Sequence, residues 1–60
     1  MIYKIVSECG TIIEFKKSSN NISFNVFFDD ILTGEFELNK TQLKDLIDSL
    51  IIVEDKIEQD

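Results

Sequence analysis

The sequence predicts an α+β domain, ββββα, in which a four-stranded antiparallel sheet is followed by one C-terminal helix that joins copies into a homo-oligomer. Three observations carry this. Residues 2–38 alternate apolar and polar side chains and are broken at Cys9-Gly10, at residues 18–21 and at Asp29-Asp30. From Lys40 the period becomes helical, with Leu43, Leu46, Leu50, Val53 and Ile57 spaced 3-4-3-4. The connections between successive strands are short, which selects an antiparallel meander.

Taken in order, residues 2–7 form the first strand, with Tyr3, Ile5 and Ser7 on one face. Gly10 supplies the positive φ of a tight turn. Residues 11–17 form the second strand, placing Thr11, Ile13 and Phe15 on one face and Ile12, Glu14 and Lys16 on the other. A polar turn at residues 18–21 leads to the third strand, residues 22–28. There Ile22, Phe24, Val26 and Phe28 point inward. After Asp29-Asp30 the fourth strand runs over residues 31–38, with Leu32, Gly34, Phe36 and Leu38 on one side. Asn39 is a helix N-cap, and Gln42 three residues on completes a capping box.

The helix carries more apolar surface than one small sheet needs. Ile47 and Ile51 widen the leucine seam to an arc of roughly 160°, and Ile52 lies opposite Leu43. Leu43, Leu46 and Leu50 are expected to face their own sheet. Ile51, Ile52, Val53 and Ile57 are then left for another subunit. The alternative is a broad core stripe with one stray isoleucine.

Length supports the first reading. Sixty residues form a single domain, 1–60, and a domain of this size buries only roughly 60% of its unfolded surface. One cysteine and no histidine rule out an intrachain disulfide or a histidine-based zinc staple, which leaves oligomerisation as the stabilising device. No apolar run is long enough to cross a bilayer, and Lys4 and Glu8 interrupt any signal-peptide pattern. The expected location is the cytoplasm, with no membrane partner.

Net charge is −6, unevenly spread. Residues 1–28 carry Lys4, Lys16 and Lys17 against Glu8 and Glu14. Residues 29–60 carry three lysines against ten acids. There is no arginine, so bidentate phosphate or guanine recognition is unavailable. Any nucleic-acid surface therefore lies on the N-terminal half, with Lys4, Lys16 and Lys17 as phosphate contacts and Tyr3 and Phe27 nearby for stacking.

Without histidine, no Ser-His or Cys-His pair exists, and neither glycine belongs to a phosphate loop. Carboxylates are the chemical resource that remains. Glu14, Asp29 and Asp30 are the candidate catalytic acids, with Glu14 and Asp30 as ligands for a divalent metal such as Mg. Glu35 and Glu37 are neighbours on one strand face. The competing explanation is ordinary turn composition and a solvated strand face. Cys9 has no basic neighbour in sequence to lower its pKa, so it reads as a turn residue.

The stretch Phe36-Glu37-Leu38-Asn39-Lys40-Thr41-Gln42-Leu43-Lys44-Asp45-Leu46, continued by Val53-Glu54-Asp55-Lys56-Ile57, resembles the last strand and C-terminal helix of the positive-cofactor-four family. These are single-stranded-DNA-binding transcriptional coactivators. Gly10-Thr11-Ile12-Ile13-Glu14-Phe15-Lys16-Lys17 is similar to the family's glycine turn and following strand. The basic pair before the family's last strand is replaced here by Thr33-Gly34-Glu35, and its early helix aromatic by Leu43.

The resemblance implies a twisted sheet, antiparallel helix pairing between subunits and DNA laid over the sheets. In size and composition the chain also resembles very small phage anti-CRISPR proteins of this fold, which nick supercoiled DNA. Three functions are expected. The first is a DNA-acting homodimer or higher homo-oligomer, an anti-CRISPR with metal-dependent nicking activity. The second is a non-catalytic single-stranded-DNA-binding transcription cofactor. The third rests on charge and not on the resemblance: an acidic inhibitor that mimics nucleic acid and blocks a DNA-binding protein, such as a bacterial defence protein, through the acidic C-terminal half, residues 29–60.

Overall fold

In a computed structural model, which describes residues 1–58, the chain forms β1 (Tyr3–Val6), β2 (Thr11–Ser18), β3 (Asn21–Phe28), β4 (Ile31–Leu38) and α1 (Lys40–Glu58). The strands lie in the order β1-β2-β3-β4, and each pair is antiparallel. This is the ββββα meander expected from the alternation.

Local chemistry sets each connection. The Ser7 N–H donates to the Thr11 carbonyl at 2.9 Å and the Gly10 N–H to the Ser7 carbonyl at 3.3 Å. Gly10 adopts φ 91°, which a side chain would resist. Asp29 and Asp30 both have positive φ, 54° and 65°, as a two-residue type I′ hairpin loop requires. Aspartate tolerates this left-handed conformation better than most residues. The helix opens on a reciprocal capping box. The Gln42 N–H donates to Asn39 Oδ1 at 2.9 Å, and the Asn39 N–H to Gln42 Oε1 at 3.0 Å.

Register fixes the two sheet faces. Tyr3, Phe15, Phe24 and Phe36 are aligned across all four strands, with ring centroids 5.7, 5.8 and 4.8 Å apart and planes within 29° of parallel. Ile5, Ile13 and Val26 lie in the next row of this apolar face. The opposite face is polar in its middle rows: Lys4, Glu14, Asn25 and Glu35, then Lys16, Ser23 and Glu37.

One expected placement is corrected. A bulge follows Val26, so that Val26 pairs with Gly34 but Phe27 pairs with Leu32. Thr33 is the extra residue, and its hydroxyl donates to the Val26 carbonyl at 3.2 Å. A one-residue shift inverts the facing of everything before it. Leu32 therefore joins Val6, Ile12 and Phe27 on the polar side, and does not share the face of Phe36 and Leu38.

Helix packing is sparse. The α1 backbone approaches β3 and β4 and neither of the other strands. Leu43 and Leu46 are half-buried, with Leu43 beside Ile22 and Lys17. Leu50, expected to face the sheet, is instead 56% exposed, because the helix has left the sheet by that turn.

Candidate functional site

The main surface feature is apolar area with nothing over it. Among the described residues no side chain is buried, so the single chain has no closed core. Exposed apolar side chains fall into two tracts. The sheet contributes Tyr3, Ile5, Phe28, Ile31 and Phe36 on its apolar face, while Val6 and Leu32 are exposed on the opposite face and Met1 and Ile2 at the N-terminus. The helix contributes Ile47, Leu50, Ile51, Ile52, Val53 and Ile57, with the last four between 52% and 69% exposed.

The accessible surface totals 5227 Å² for a 6.9 kDa chain. A compact monomer of that mass presents about 4,000 Å². The excess of about 1,200 Å² exceeds the roughly 800 Å² that each partner contributes to a standard interface.

The structure divides the three N-terminal lysines. Lys4 and Lys16 occupy adjacent rows of the polar face on neighbouring strands, close enough to act on one ligand. Lys17 stands on the apolar face, next to Ile22 and the start of the helix. Lys4 Nζ lies 3.6 Å from Glu14 Oε2, a partly exposed ion pair of the kind that contributes about 1 kcal/mol or less. Tyr3 and Phe27 lie on opposite faces, so they do not form one stacking platform.

The proposed acids are also separated. Glu14 pairs with Asn25, four residues before Asp29 along β3, a span of about 13 Å. Asp29 and Asp30 sit at the far end of the hairpin. Ligands of a single divalent ion lie about 2.0–2.6 Å from it. Glu14 and Asp30 of one chain therefore do not fit a shared metal site, and no group of three or more metal-binding side chains converges among the described residues.

Cys9 is more activated than its sequence neighbours suggest. Its exposed Sγ lies 3.1 Å from the Ser7 hydroxyl and 3.5 Å from that of Thr11. Those hydroxyls, Ser7 first, stabilise the thiolate and lower the pKa from 9.0 to about 7. The expectation of an ordinary thiol considered only cationic neighbours. The signal was the Ser-x-Cys-x-Thr spacing across a turn that folds back on itself.

Comparison of the chain with protein families, curated proteins and solved structures finds no match. No helix among the described residues is long and apolar enough to cross a membrane.

Proposed function

We propose that this chain is the protomer of an obligate homo-oligomer that acts on DNA through the polar face of its sheet. The observation that carries the assembly reading is the excess of about 1,200 Å² of surface on a chain in which no described side chain is buried. A folded chain must offset roughly 1–2 kcal/mol of backbone entropy per residue by burial, and this one leaves large apolar groups such as Phe28, Ile31, Ile52 and Ile57 exposed. A second copy supplies the missing cover at no cost in sequence.

Once the apolar face and the helix stripe are covered, the polar face remains open. Lys4 and Lys16 are then available for phosphate, in keeping with the resemblance to single-stranded-DNA-binding coactivators and small anti-CRISPR proteins. Metal-assisted nicking, the activity of the latter, would not use Glu14 and Asp30 of one chain as joint ligands, because they stand too far apart within it.

The acidic-inhibitor reading draws on a specific observation of its own. The polar face also carries Glu14, Glu35 and Glu37, and Glu14 engages Lys4. A basic DNA-binding protein of a bacterial defence system would be the partner for such a face.

Supercoiled plasmid and single-stranded oligonucleotide, each incubated with the protein and magnesium, separate these readings. The DNA-acting oligomer retards or nicks DNA. Changing Lys4 and Lys16 together to Gln reduces the slope of log affinity against log salt by roughly two counterions. Absence of binding and nicking at low salt would overturn the DNA reading and leave the acidic inhibitor.

A further inference from the structure

We infer that Lys17 and Lys40 hold a phosphate monoester in the depression between the β2–β3 turn and the start of α1. This site is separate from the polar face and does not depend on DNA binding there. Charge counted along the chain leaves Lys40 in the acidic half, residues 29–60. The fold moves it. Leu38 pairs with Ile22 and Ile22 with Lys17, so the helix that follows Leu38 starts at the end of the sheet that carries Lys17. Lys17, Ser19, Asn20, Ile22, Lys40 and Leu43 line the resulting depression, whose volume is about 230 Å³.

The charge there is uncompensated. Among the described residues no carboxylate lines the depression. Neither lysine forms an ion pair, whereas Lys4 engages Glu14 and Lys44 engages Asp48. Two like charges in one depression repel. Lys40 also stands in a helical first turn that holds no acid, where the helix dipole disfavours a cation. A chain with twelve acids places none of them in this wall, and a bound anion relieves both conflicts.

The rest of the lining narrows the class of anion. Ser19 and Asn20 add neutral hydrogen-bond donors, while Asn21, also in the wall, donates its amide to Glu37 at 3.4 Å. Ile22 and Leu43, both half-buried, supply an apolar floor. Two monocations match the charge of about −1.5 to −2 that a phosphate monoester carries near pH 7. The floor suits the organic group to which that phosphate is esterified. A small sugar phosphate and the terminal phosphate of a nucleic-acid strand share this chemistry.

Backbone amide shifts of the wild-type protein, followed by NMR during titration with inorganic phosphate at constant ionic strength, test the site. The expected result is saturable movement confined to residues 17–22 and 40–43. Lys17→Gln and Lys40→Gln should each weaken binding about threefold or more, and Lys56→Gln should leave it unchanged, with the remaining spectrum showing that each variant is folded. Competition against inorganic phosphate then identifies the source. Displacement by a 5′-phosphorylated oligothymidine but not by its unphosphorylated counterpart makes it a strand terminus. Displacement by ribose 5-phosphate alone makes it a small ester. Equal displacement by both oligonucleotides, or by no ester, would overturn the monoester. Shifts that sodium chloride reproduces, or binding that survives both lysine changes, would overturn the site.

Discussion

Cys9 shows how a residue's chemistry depends on atoms that sequence adjacency conceals. Two hydroxyls two residues away on either side reach its sulfur only because Gly10 lets the turn close. A thiol with a pKa of about 7 is half thiolate near neutrality, and the thiolate is the reactive form. Alkylation by iodoacetamide should therefore rise through pH 7, not near 9. Ser7→Ala removes the larger stabilising contact and should move that midpoint upward. An unchanged midpoint would remove the hydroxyls as the cause. Cys9→Ser should leave assembly intact, since the thiol lies outside both apolar tracts.

Among the elements, the helix start is the most closely determined. Its capping box satisfies two backbone donors that have no partner within the helix. Asn39→Ala should cost about 1 kcal/mol of stability, seen as a lower denaturation midpoint at fixed protein concentration. This feature was legible in sequence because it depends on residues three apart. The strands were legible for a similar reason, since alternation and turn residues are local signals.

The Thr33 bulge was not legible, because an extra residue leaves the composition of β4 unchanged and shows itself only against β3. The separation of Glu14 from Asp30 was hidden likewise. Both are ordinary acids in sequence, and only the pairing of Glu14 with Asn25 places them at different heights in the sheet. The exposure of Leu50 required knowing where the helix leaves the sheet, which its apolar spacing does not encode.

For the whole molecule, the same surfaces bear on stability and function. The stacked row of Tyr3, Phe15, Phe24 and Phe36 turns its rings on one another, which suits a packing surface more than a base-stacking platform. In the proposed assembly a second copy would cover it and leave the polar face, with Lys4 and Lys16, outward. Ile51→Asp should act on this level, placing a charge in the helix stripe twice per two-fold interface. The expected result is dissociation to unfolded or molten chains, read together by sedimentation and circular dichroism. A folded, fully assembled Ile51→Asp variant would place the interface elsewhere.

The most direct measurement is sedimentation of the wild-type protein paired with thermal unfolding, across concentrations from nanomolar to micromolar. An obligate homo-oligomer sediments at a multiple of the 6.9 kDa chain mass, and its unfolding midpoint rises with concentration because folding and association are linked. A chain that sediments at 6.9 kDa and unfolds cooperatively at a midpoint independent of concentration would contradict it.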